Sequence, residues 1–198
     1  MENSMLSKKS KVLSERQIKA VLAFLDTTKH PIRNRLILLL SARAGLRAKE
    51  ISELRWSMVT DAEGWIANDI RLPNTASKGN SGGVIPIAKQ LHEALSDWAN
   101  EIGTIIPGKH VIWTERSDRS SAQVIVNMFW NWYRAIGFDG CSSHSGRRTF
   151  ITNAARNIGR FGGSLRDVQA LARHSSLSMT QSYIEVDTEA MRKVVDPA

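Results

Sequence analysis

The chain has 198 residues and a formal net charge of +8, from 27 Lys+Arg against 19 Asp+Glu. That length holds one domain with a real core and is short for two, and 42% hydrophobic with 23% charged residues excludes disorder along most of the chain. The longest apolar run, Leu36–Leu40, is far below the roughly 20 residues of a membrane-spanning helix, and the polar start MENSMLSKKSKVLSERQ has no secretory apolar region. A single cysteine, Cys141, excludes an internal disulfide and a cysteine-based zinc site and fits the cytoplasm. The basic excess favours a polyanionic partner without saying which.

No repeat is visible. Residues 1–13, with Lys8, Lys9 and Lys11, read as a basic flexible lead-in to a single domain over 14–198. Ser14 and Gln17 have capping-box spacing, and Ile18, Val21, Leu22 and Leu25 follow at helical intervals, predicting a helix to about Asp26. Pro31 opens a second helix, apolar nearly all round at Leu36–Leu40 and therefore central in the core, which Gly45 ends. A short helix over Ala48–Leu54 follows. From Trp65 to Ile87, two extended segments flank the polar NTASKGNSGG and predict a β-hairpin with a flexible tip. Ala88–Glu101 returns to helix with Leu91, Leu95 and Trp98 on one side. Ser121–Ile136 is another, with Val124, Met128, Phe129, Trp132, Tyr133 and Ile136 as its packing stripe. Helices over Arg147–Ile158 and from the cap Ser164 to about Leu171 precede a short pair around Thr180–Tyr183 and Thr188–Val194. The fold class is α+β, mostly α-helical, with one small antiparallel sheet.

Five local features hold polar residues that core packing does not require. Arg47 follows the helix-ending glycine, and Glu50 lies one turn on, within reach of its guanidinium. Lys78 sits among glycines in the hairpin tip. His144 and Arg147 share a face where a helix begins, and the backbone N–H groups there attract anions. His174 lies at a helix-to-turn junction, and Tyr183 is nine residues beyond it. Only Tyr133 competes as a nucleophilic tyrosine, and it falls on an apolar stripe that places its hydroxyl at the edge of the core.

In this order the segments GLRAKEISELRW, SKGNSGGVIPI, HSGRRTF and LARHSSLSMTQSY resemble the boxes of the tyrosine recombinase (phage integrase) family, over about Ser14 to Tyr183. The resemblance implies that family's catalytic-domain fold and a site-specific DNA recombinase or integrase working through a 3′-phosphotyrosine intermediate, without ATP, metal or other cofactor. Arg47 and Arg147 would clamp the non-bridging phosphate oxygens, as planar guanidiniums can. His174 would add a hydrogen bond to the same oxygens, Tyr183 would attack phosphorus, and His144 would take its proton, since a phenol of pKa about 10 is a poor nucleophile when protonated. Lys78 would protonate the leaving 5′-oxygen, and Glu50 would support Arg47.

Two departures stand out: Arg173 occupies the place before His174 where the family usually has glycine, and Gly83 occupies a hairpin position where it often has arginine. The family's N-terminal core-binding domain, of roughly 100 residues, has no counterpart before residue 14, which suits a naturally short recombinase or a fragment. The implied partner is double-stranded DNA, bound by a homotetramer that is monomeric when free, with no membrane association and a cytoplasmic, nucleoid-associated location. The alternative is a catalytically silent DNA-binding accessory module of the same fold. The segment after Tyr183, with a helix around Met191, Val194 and Val195, is expected to dock on a neighbouring protomer or on its own domain.

Overall fold

The computed structural model describes residues 10–76 and 82–184. Eight α-helices and one two-stranded sheet make up the described chain: α1 (Glu15–Leu25), α2 (Pro31–Ala44), α3 (Ala48–Glu53), β1 (Asp69–Leu72), β2 (Gly83–Pro86), α4 (Lys89–Ile102), α5 (Ala122–Ala135), α6 (Ser145–Asn157), α7 (Leu165–Ala172) and α8 (Leu177–Gln181). The boundaries follow local chemistry. Ser14 and Gln17 close a capping box on α1, Pro31 occupies the first turn of α2, Ser121 caps α5, and Ser164 with Asp167 closes a capping box on α7. Such caps satisfy N–H groups that the first helical turn leaves without partners.

Helix α2 is the central post. Leu36, Ile37, Leu38, Leu39 and Leu40 are all buried, and the helix packs against α1, α4 and α6 while α3 packs on α5. This explains its lack of a polar face: a helix covered on several sides has none to offer water. The strands pair antiparallel, Ile70 opposite Ile85 and Leu72 opposite Gly83. Ile70, Leu72 and Ile85 face the core, and Val84 faces out. A second, smaller cluster of Ile151, Val168 and Ala172, with Phe150, Leu165 and Tyr183 against it, joins α6 to the C-terminal elements. No helix among the described residues is long and apolar enough to cross a membrane.

The observed fold is the mostly helical α+β class expected, and it differs from the sequence reading in particulars. On α5 the buried row is Ile125, Phe129, Trp132 and Tyr133, while Val124 is exposed, so the stripe is turned by one residue. The Tyr133 ring is fully buried and its hydroxyl has no hydrogen-bond partner, so it does not reach the edge of the core. Helix α8 starts three residues earlier than expected, which leaves Tyr183 in the turn after it. The helix expected at Thr188–Val194 lies outside the described residues, as do residues 1–9. The last part of the lead-in is docked rather than loose: Lys11 N–H donates to Gly140 O at 3.1 Å, Leu13 N–H donates to Thr149 Oγ1 at 2.8 Å, and Leu13 is buried.

The α2–α6 contact depends on one glycine. A Cβ at Gly146 would overlap the Ser41 hydroxyl and approach Ser41 Cβ to 2.9 Å. Gly146→Ala is expected to destabilise the domain by about 1–3 kcal/mol through overpacking, read as a lower urea midpoint. Gly159→Ala, where nothing lies within 4 Å, is the matched control with little change.

Candidate active site

The site is built from three places where helices start or stop. Helix α2 ends at Gly45, whose φ of 64° and ψ of 25° are left-handed; glycine takes this conformation without steric penalty. Two residues on, Arg47 is the N-cap of α3, and Glu50 in the first turn answers it twice. Glu50 Oε2 accepts the Arg47 backbone N–H at 2.8 Å, and Oε1 accepts Arg47 Nη1 at 2.8 Å. The Glu50 carboxylate is fully buried.

At the second place, His144 caps the start of α6 and Arg147 lies in its first turn. Arg147 is buried, and its Nη1 donates to Gly45 O at 2.6 Å while Nη2 donates to Ala172 O at 2.5 Å. A guanidinium has five N–H donors; these two bonds fix its plane and leave three. At the third place α7 ends at Ala172, Arg173 takes the left-handed conformation, and His174 follows. His174 is buried, with Nδ1 2.9 Å from Thr180 Oγ1. Its ring stacks on Tyr183 with centroids 5.4 Å apart.

These elements enclose a cleft of about 350 Å³ in which Arg47, His144, Arg147, His174 and Tyr183 all take part. Five of the six residues expected to carry chemistry are therefore together, and Glu50 is the buried support of one of them. Lys78 lies outside the described residues. Tyr133 is absent from the cleft lining. The sequence reading missed several participants. Arg148 lines the cleft, with its guanidinium carbon 5.9 Å from the Tyr183 ring centroid; its place beside Arg147 was the available signal. Thr180 carries no local signal, and Arg173 showed only as a residue in glycine's place, its partner Glu50 being distant in sequence. Ser10 also lines the cleft, its hydroxyl 2.7 Å from that of Ser142. Among the described residues no three His, Cys, Asp or Glu side chains converge to hold a metal ion.

The cleft is strongly cationic, and the proton affinities of its groups follow from that. Burial, followed by repulsion from Arg47, pulls Arg147 down to about 10, which leaves it charged at neutral pH. Burial, then the fields of Arg147, Arg47 and Arg173, push His174 down to about 4, so its imidazole is neutral. An anion in the cleft offsets those fields.

The His174 depression has a definite sign for stability. The unfolded chain, with His near 6.5, takes up the proton first as pH falls. Stability from the neutral form is therefore complete above pH about 6.5 and is lost down to about 4, by up to about 3 kcal/mol. In the free protein the His174 ring signals in an NMR titration are expected to move near pH 4, and to move at higher pH when an anion such as inorganic phosphate fills the cleft. Titration near 6.5 without the anion would contradict this.

The phage integrase family model matches residues 11–190. The tyrosine recombinase XerA of Pyrococcus horikoshii is 27% identical over 192 residues, 95% of this chain and 61% of its own length. The tyrosine recombinase XerC of Corynebacterium glutamicum is 26% identical over 168 residues, 84% of this chain and 51% of its own. The chain thus spans between half and two thirds of these curated relatives. Among solved structures, the crystal structure of XerA recombinase matches with a TM-score of 0.74 at 22% identity, covering 94% of this chain and 65% of that one. A XerH site-specific recombinase bound to its difH substrate in a pre-cleavage complex matches with a TM-score of 0.72 at 17% identity, over 100% and 57%. Both are likenesses of fold. The family match takes in every described helix and strand and all of the cleft lining but Ser10, and the chain belongs to the phage integrase family.

Proposed function

We propose that this chain is a tyrosine-type site-specific DNA recombinase, acting on double-stranded DNA through Tyr183. The observation that carries the reading is the cleft itself, which brings a tyrosine, two histidines and two fixed arginines from one chain around a single small volume. A phosphodiester fits the charge there. Attack on phosphorus places a second negative charge on the non-bridging oxygens, and donors already oriented toward them stabilise that charge without reorganising.

In this reading Arg47 and Arg147 take the non-bridging oxygens with the N–H groups their protein bonds leave over. His174 contributes one more. A neutral imidazole has a single N–H; in the tautomer whose Nδ1 accepts from the Thr180 hydroxyl, the ring hydrogen is on Nε2 and serves the phosphate. Tyr183 Oη attacks phosphorus and gives its proton to His144; the phosphotyrosyl bond to the 3′ side forms as the bond to the 5′-oxygen breaks. Lys78 supplies the proton that the 5′-oxygen takes up. Religation is the reverse, with the 5′-hydroxyl of another strand as nucleophile, so the bond energy stays in the phosphotyrosine and no ATP or metal enters. Joining two duplexes cut on both strands takes four protomers, hence a homotetramer on DNA assembled from monomers, working at the nucleoid.

The test is covalent trapping on a nicked duplex that loses its 5′-hydroxyl fragment after cleavage. Wild type is expected to give a protein–DNA band resistant to denaturant, in chelator as well as without it, and Tyr183→Phe to give none. No wild-type band with DNA binding retained would favour the accessory-module reading.

Two further outcomes bear on the roles. Arg147→Ala is expected to slow cleavage by about 10²–10³-fold, the loss typical of a preorganised oxyanion donor, in single-turnover assays. DNA affinity should fall steeply with salt, because phosphate contacts release counterions; an affinity flat between low and moderate salt would contradict both readings.

A further inference from the structure

Arg173 is the only residue other than glycine with a positive φ, 53°, among the described residues. It ends α7 where a glycine is ordinarily favoured, and its side chain turns inward, 1% exposed. Nη2 donates to Glu50 Oε2 at 2.6 Å, on the carboxylate whose Oε1 holds Arg47. The stem lies on the hairpin: a Cβ at Gly83 would come within 3.3 Å of Arg173 Cδ. Its Nε and Nη1 are buried with no acceptor. Left-handed backbone, a desolvated charge and two orphaned donors all disfavour arginine here, and glycine would remove all three. Stability alone therefore does not account for this side chain.

We propose that Arg173 is a positioning residue, which together with the Arg47 backbone N–H fills the Oε2 oxygen of Glu50, so that only Oε1 is open to the Arg47 guanidinium and Arg47 stays presented to the cleft. The inference rests on the recombinase reading of that cleft. A free carboxylate and a guanidinium prefer two parallel hydrogen bonds, and that pairing would draw Arg47 onto Glu50 and spend the N–H groups that phosphate needs. With Oε2 so filled, the Arg47 guanidinium binds Glu50 through Nη1 alone. The bare Gly83 is the other half of the device, since it leaves room for the arginine stem. Without Glu50 the Arg173 charge would be buried alone, and burial already lowers its proton affinity.

The test compares wild type, Arg173→Gly and Arg173→Lys by three readouts: single-turnover cleavage of the nicked duplex, Kd for that duplex, and the Nε–Hε NMR signal of Arg47 in the free protein. Arg173→Gly is expected to displace or broaden the Arg47 signal and to slow cleavage roughly ten- to a hundredfold, as a misplaced catalytic group does, with Kd close to wild type. Arg173→Lys, which keeps a cation on Glu50, restores part of the rate. An unchanged Arg47 signal in Arg173→Gly overturns the proposal, as does a loss of cleavage matched by an equal loss of affinity and unrelieved by lysine. If wild type forms no Tyr183-dependent adduct, the recombinase reading fails, and the Arg47 signal alone decides the positioning. Should Arg173→Gly not fold, Arg173→Gln replaces it, keeping the stem against Gly83 without the charge.

Discussion

The site depends on one guanidinium held between two helix ends. Arg147 donates to Gly45 O, just past α2, and to Ala172 O, the last residue of α7. Carbonyls at helix C-termini have no partner within the helix and carry its partial negative charge, so a buried cation satisfies them and is satisfied by them. The bridge fixes more than itself. Arg47 begins two residues after Gly45 and His174 two residues after Ala172, so tying these carbonyls to one side chain brings both to the same volume. A lysine, with a point charge in place of a fork, could not hold both carbonyls and still present a planar set of donors.

The two parts of the hydrophobic core support this arrangement unequally. The large cluster around α2 is continuous from α1 to α5 and secures Gly45 and α3. The elements bearing His174 and Tyr183 rest on a small cluster whose buried members are Ile151, Val168 and Ala172. Local opening free energy tracks buried apolar contact, so the α7–α8 region is the softer half of the cleft. The arginines stand on the firm wall of the cleft and Tyr183 on the more yielding one, which in the proposed reaction suits a tyrosine that bonds to phosphorus and later leaves it.

Much of this was legible in sequence because it is local. Capping pairs such as Ser14 with Gln17 announce helices, the Arg47 to Glu50 spacing announces their bond, and Gly45 announces a turn. Where the reading slipped, the deciding contact was distant. Val124 and Ile125 fit the helical period nearly equally, and only the neighbours of α5 choose between them. Leu13 gave no sign of pairing with Thr149, 136 residues away. Arg173 stood out only as a residue in glycine's place; its reason is a carboxylate 123 residues earlier, which no spacing rule reaches. Thr180 looked like an ordinary helix residue until the fold set it against His174.

The docked Ser10 changes how the chain is to be handled. It lines the cleft, and at the other end of the described chain so does Tyr183, one residue before Ile184. A chain cut back to begin at Ser10 or to end at Ile184 would therefore place its new terminus at the rim of the cleft. A tag or tether fused at such a shortened end would start beside the cleft, so an inactive fusion would report obstruction before it reported chemistry. The exposed turn at Asp61–Gly64, on the loop that leads into the hairpin, is an attachment point outside the residues that line the cleft.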